Sequence, residues 1–210
     1  MTRKALTMLL LAAPSFLIAA QNGPALAMDP ITTTQTILLI RHGEKPEAGL
    51  GQLNCQGLNR ALALPLVIAG KFGKPIAVFA PNPAKRKDDV GIPYDYVRPL
   101  ATIEPTAIAN GLPVQADFGF TETAKLRRAL AKPALRDGLV VVAWEHKLID
   151  GIARDILKAN SADPDVVPTW EGGDFDSIYV LRLTRNGDRT QAVFLHDSEG
   201  LNGLPNTCPK

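Results

Sequence analysis

Three short runs of the chain are almost wholly apolar: TILLI at Thr36–Ile40, IAVFA at Ile76–Ala80 and LVVVA at Leu139–Ala143. A strand with one wet face alternates polar and apolar residues, so such runs predict strands buried on both faces, as in a parallel sheet. Parallel neighbours need long crossover connections, and the intervening segments carry a helical period. QGLNRALALPLVIAGKFG from Gln56 predicts a helix that Pro65 kinks or stops early. PLATIEPTAIANG from Pro99 predicts a helix with an interruption at Pro105 and Gly111 as C-cap. TETAKLRRALA predicts a helix capped by Thr121, and KLIDGIARDILKAN from Lys147 sets Leu148, Ile149, Ile152, Ile156 and Leu157 on one face. Two later runs, Ser177–Thr184 and Gln191–His196, flank RNGD and predict a hairpin with Asn186-Gly187 as its turn signal. The expected fold is α/β: a three-layer sandwich whose mostly parallel sheet has helices on both faces and an antiparallel C-terminal hairpin.

Residues 1–27 have the layout of a secretory signal peptide: Arg3 and Lys4, an apolar stretch from Ala5 to Ala20, and small residues at Ala25 and Ala27. The apolar stretch is shorter than the roughly 20 residues of a membrane span and contains Pro14, so cleavage after Ala27 is expected rather than a stable membrane anchor. Residues 28–210 then form one domain, periplasmic or secreted. Losing Arg3 and Lys4 leaves 21 basic against 21 acidic residues, and the densest basic run, AKRKDD, is answered at once by two acids. A nucleic-acid-binding surface would need clustered excess positive charge, so nucleic acid is not an expected partner. Cys55 and Cys208, the only cysteines, are a candidate disulfide in an oxidising compartment, with two free thiols as the alternative. Oligomeric state is not legible.

Ligands of such sheets bind beyond the carboxyl ends of the strands. Arg41 and His42 follow the first apolar run, and Glu145 and His146 follow LVVVA, so two distant segments bring a histidine to one sheet edge. Neutral imidazole is a nucleophile at neutral pH, and arginine offers forked donors matched to phosphoryl oxygens. Gly43 leaves room for an ester to approach the backbone.

LLIRHGEKP closely resembles the signature of the histidine phosphatase superfamily, which includes the phosphoglycerate mutase-like enzymes. YVRPLATIEPTA (Tyr94–Ala107) resembles the segment carrying that family's second phosphate-binding arginine, here Arg98, and VVAWEHKLI (Val141–Ile149) the segment carrying its second histidine, here His146. RHGEKP together with WEH resembles a small subgroup. The resemblance implies a phosphatase in which His42 becomes a phosphohistidine, with Arg41, Arg98 and His146 holding the phosphoryl oxygens, water releasing the product, and no metal or other cofactor required. The substrate would be a small phosphorylated molecule. The proton donor is Glu145 or Glu122, and Glu145 reaches the pocket only where the chain has left strand geometry. A phosphomutase and a noncatalytic phosphate-ligand binder are the alternatives, and export away from glycolytic intermediates argues against the mutase.

The segment PNPAKRKDDVGIPYDY before Arg98 departs from the family pattern and is expected to form a lid or rim, setting specificity around Lys85 to Tyr96. His196-Asp197 reads as a loop, Arg60 as an exposed helix residue that could steer an anionic substrate, Glu44 and Lys45 as solvated charges or part of the pocket rim, and Trp170 as partial core. No two of the three histidines have short helical metal-ligand spacing.

Overall fold

The computed structural model describes residues 31–210, so the expected signal peptide lies outside the described residues. The sheet has six strands: β1 (Thr32–Arg41), β2 (Pro75–Phe79), β5 (Val114–Gln115), β6 (Gly138–Trp144), β7 (Ser177–Asn186) and β8 (Arg189–Ser198), in the order β5-β2-β6-β1-β7-β8. Three parallel pairings join β5, β2, β6 and β1, while β7 runs antiparallel to both β1 and β8. A separate two-stranded hairpin, β3 (Lys87–Asp89) with β4 (Ile92–Tyr94), interrupts the path from β2 to the next helix. The helices are α1 (Cys55–Phe72), α2 (Arg98–Asn110), α3 (Thr123–Leu130) and α4 (His146–Ala159).

The apolar runs feed both faces of the sheet because side chains alternate along a strand. Ile37 and Leu39 of β1 join a core with Leu126 and Leu130 of α3 and Ile149, Ile152 and Ile156 of α4. Leu38 and Ile40 join the opposite core, with Leu64 and Ile68 of α1 and Ile103 and Ala107 of α2. Helices therefore cover both faces, as expected from the sequence. Trp170 is buried against Tyr179, their ring centroids 4.5 Å apart.

Several local expectations change. Helix α1 runs through Pro65 to Phe72 and α2 through Pro105 to Asn110, so neither proline stops its helix. Gly111 does cap α2, with φ 65° in the left-handed region. The residue capping α3 is Glu122 rather than Thr121. The hairpin loop is Gly187-Asp188, one residue later than the Asn-Gly reading, since Asn186 pairs with Arg189. His196 and Asp197 lie in β8, not in a loop; His196 Nε2 stands 2.7 Å from Ser177 Oγ.

Cys55 and Cys208 form a disulfide that ties the start of α1 to the chain's tail across 153 residues. Asn59 of α1 donates to Pro205 and Thr207 carbonyls beside it. Because the crosslink restricts the unfolded chain, Cys208→Ser is expected to lower unfolding free energy by about 2–5 kcal/mol. Urea denaturation checks this, and a midpoint equal to that of the parent chain would contradict it.

Candidate active site

The site forms where β1 and β6 end together. Their parallel register sets Arg41 beside Trp144, and the His42 amide donates to the Trp144 carbonyl at 3.3 Å. Both strands end here, β1 at Arg41 and β6 at Trp144. Glu145, at φ −84° and ψ 122°, is the residue between β6 and α4, and His146 opens the helix. Glu145 itself keeps an extended backbone, and it is the helix beginning at His146 that brings the two neighbouring side chains together, with His146 Nδ1 and Glu145 Oε1 3.3 Å apart.

Four of the five expected site residues are almost inaccessible: His42 is 2 % exposed, Arg41 4 %, Arg98 1 % and Glu145 2 %. His42 Nδ1 lies 2.7 Å from its acceptor, the Gly43 carbonyl. That contact requires the proton on Nδ1 and leaves the Nε2 lone pair free. Burial pushes the His42 pKa well below its ordinary value, the Gly43 carbonyl opposes this, and the nearby Arg98, Arg41 and His146 depress it further. The ring is therefore neutral and nucleophilic at neutral pH.

Arg41 Nη1 donates to the carbonyls of Gly172 (2.7 Å) and Asp174 (2.9 Å), with its guanidinium 3.7 Å from the centroid of Phe175. Burial pushes its pKa down to about 10, so it remains a cation. Arg98, at the start of α2, pairs through Nη1 with Asp89 and lies 5.0 Å from the Tyr96 ring centroid. Asp89 also receives Lys45 Nζ at 2.6 Å. Burial favours its neutral acid, but hydrogen bonds from Lys45 and Arg98 hold its pKa below the usual value. Lys87, from the same hairpin, reaches Glu145 Oε1 at 2.9 Å. His146 Nδ1 lies 3.3 Å from that oxygen without forming a hydrogen bond. Burial first, and then Arg41, push the His146 pKa down to about 4, with Glu145 opposing.

The orphan polar atoms are informative. Arg41 Nε, Arg98 Nε, His146 Nδ1 and the Tyr96 hydroxyl are all buried without a hydrogen-bond partner. A buried unpaired polar group costs about 1–3 kcal/mol. Both arginines and His146 act electrostatically on His42, and Tyr96 packs edge-on against it, with ring centroids 5.9 Å apart. An oxyanion beside His42 would supply the acceptors these groups lack.

Glu122, the other candidate acid, lies elsewhere in character. It is partly exposed, pairs with Lys125, and accepts from the Gly119 amide at 2.8 Å. Lys125 foremost, with that amide, holds its pKa below the usual value. A proton donor needs the opposite shift.

Gly43 gives its room to the protein itself: a Cβ there would stand 2.9 Å from the Gly57 carbonyl of α1, so helix backbone fills the space assigned to an ester. The Gly43 amide donates to Thr102 Oγ1 at 2.9 Å, and that hydroxyl donates to the Arg98 carbonyl at 2.8 Å, joining the His42 loop to α2. Arg60 is not exposed but fully buried, paired with Glu44 (2.7 Å), Asp176 (3.3 Å) and Glu199. Glu44 and Lys45 are likewise engaged in ion pairs. The contributions of Tyr96, Asp89, Lys87 and Phe175 went unread. The only sequence signal for the first three was the unusual rim segment; Phe175 lies in a stretch read as a plain turn.

No protein-family model and no curated protein matches the chain. Solved structures do. One is "putative phosphohistidine phosphatase SixA" from Nakamurella multipartitia, with TM-score 0.48 and 19 % identity over 80 % of this chain and 98 % of that one. Another is the "putative phosphohistidine phosphatase SixA" from Agrobacterium tumefaciens, with TM-score 0.44 and 16 % identity over 77 % of this chain and 97 % of that one.

The Arg60 cluster makes a pH prediction. Burial raises the Glu199 pKa to about 8; Arg60 opposes this, while Asp176 and Glu44 add to it. One guanidinium cannot neutralise three carboxylates, so the folded protein holds a proton that the unfolded chain has lost above its ordinary carboxyl pKa of 4.5. Stability from this group is full below 4.5 and is lost as pH rises through about 8. Melting temperatures from pH 5 to 9 should fall more steeply in the parent chain than in Glu199→Gln. Parallel curves would show that the cluster holds no such proton.

Proposed function

We propose that the protein is a metal-independent phosphatase of the histidine phosphatase type, exported to the periplasm or beyond, that hydrolyses phosphate monoesters through a phosphohistidine at His42. The observation that carries this reading is the neutral, Nδ1-protonated His42 beside two buried arginines that each retain an unpaired Nε–H and a half-buried His146 whose Nδ1 is unpaired. Those donors suit a transition state whose charge is spread over the phosphoryl oxygens.

In this mechanism the His42 Nε2 lone pair forms the N–P bond as the P–O bond to the leaving group breaks. Arg41 and Arg98 offer Nε–H to the equatorial oxygens. His146, neutral in the free protein, donates to the same group, and the dianion's charge raises its basicity. Glu145, separated from Lys87 by the dianion and taking up a proton from solvent beside that charge, gives the proton to the leaving oxygen and accepts one back from the water that cleaves the phosphohistidine. A phosphate dianion competes with Glu145 for Lys87 and with Asp89 for Arg98, so substrate binding rearranges the β3–β4 hairpin contacts. The partner is a small phosphorylated molecule, with selectivity set by that hairpin.

Two outcomes test the reading. Purified protein with EDTA should release p-nitrophenol from p-nitrophenyl phosphate, and His42→Ala should abolish the release; turnover surviving that substitution would remove His42 as nucleophile. For the acid, Glu145→Gln should slow alkyl phosphates about 10²–10⁴-fold and p-nitrophenyl phosphate far less, because a good leaving group needs little protonation. Equal losses on both substrates would assign the proton to another group.

A further inference from the structure

A cavity of about 400 Å³ opens at the other end of the sheet, among β1, α3, α4 and the β7–β8 loop. Gln35 is in its wall, seven residues before His42 and so about 20 Å away along an extended strand. Three arginines line it: Arg127, Arg136 and Arg185.

Gln35 is fully buried, which is costly for a polar side chain unless both ends are satisfied. Its Nε2 donates to the Leu130 carbonyl at 2.8 Å, and its Oε1 accepts from Arg185 Nη2 at 3.1 Å. The glutamine thereby fixes a guanidinium at the cavity wall. Arg185 Nη1 and Arg127 Nε are buried N–H groups with no partner. Asp155 answers Arg127 at 3.4 Å, but among the described residues no carboxylate forms an ion pair with Arg136 or Arg185. Burial, and then the charge of Arg136, depress the Arg185 pKa, so two like charges meet at one concavity.

We propose that this cavity is a second anion-binding site, taking a small organic molecule that carries a phosphate or carboxylate group. Arg136 and Arg185 hold the anion and Gln35 positions Arg185. Guanidinium forks match both oxyanions, and a bound oxyanion accepts from the unpaired N–H groups while relieving the repulsion between the arginines. Ile37, Ile156 and Leu183 in the wall suit an organic body. Asp155 and Asp188 set two negative charges against three positive ones, which favours a mono- or dianion over a polyanion.

The test is amide NMR of the ¹⁵N-labelled mature chain titrated separately with inorganic phosphate and with succinate. Amides of Gln35, Ala131, Arg185 and Gly187 should shift saturably with at least one probe, and the tighter of the two identifies the head group. Arg136→Gln and Arg185→Gln should each weaken that binding about tenfold, while Arg98→Gln leaves it unchanged. Arg136 makes no side-chain contact that the fold needs, so its variant stays informative if Arg185→Gln frees Gln35 and unfolds. Shifts confined to amides near His42, no shift up to about 10 mM of either probe, or shifts unaffected by Arg136→Gln would overturn the site.

Discussion

The pairing of β1 with β6 fixes most of what matters in this molecule. Because the strands are parallel and in continuous register from Gln35↔Gly138 to Arg41↔Trp144, both end at the same edge. The segments after them must therefore share a site. The register cannot slip by one residue without exchanging the two faces of β1, sending Leu38 and Ile40 toward α4 and Ile37 and Leu39 toward α1. The same apolar packing that holds the sheet in register thus sets His42 beside Glu145 and His146.

Three arginines are buried near this edge, and their hydrogen bonds separate their roles. Arg60 spends Nε, Nη1 and Nη2 on Glu44, Asp176, Glu199 and the Leu201 carbonyl. It has nothing left for a ligand and serves as a clamp between the loop after His42, α1 and the segments flanking β7 and β8. Arg41 and Arg98 are each held through Nη1 and keep a buried, unpaired Nε. A side chain fixed at one end with a donor unspent at the other is pre-organised for an anion, because little rotamer entropy remains to be lost on binding.

What the sequence showed and what it hid divide along one line. The apolar runs, the hairpin signal and the face of α4 are local patterns, and all of them appear in the fold. Arg60 read as exposed because its burial depends on Asp176 and Glu199, more than a hundred residues later. Pro65 read as a kink or early stop and Pro105 as an interruption because propensity sees the lost backbone bond but not the packing of α1 on α2 that carries both helices through. Gly43 read as space for substrate, yet Gly57 shows that the loop and α1 each need the other's missing Cβ. Of the candidate site, the residues at the strand and helix ends were legible, while Asp89 and Lys87 reach it only because the β3–β4 hairpin folds back toward Arg98 and Glu145, and Tyr96 follows that hairpin.

That hairpin gives the proposed chemistry its discrimination. Asp89 occupies one end of Arg98 and Lys45 with a single negative charge, so a ligand that displaces it must be the better partner for both cations. A phosphate monoester is close to a dianion at neutral pH and presents three terminal oxygens, whereas a diester presents one charge over two. Against a buried carboxylate already in place, the diester gains neither charge nor acceptor, whereas the monoester gains both. Lys87 sharpens the same contrast, since leaving Glu145 for the ligand is favourable only where the ligand carries more charge than the carboxylate it replaces. On the proposed reading, the two acids that close the site in the free protein set the charge a substrate must bring to open it.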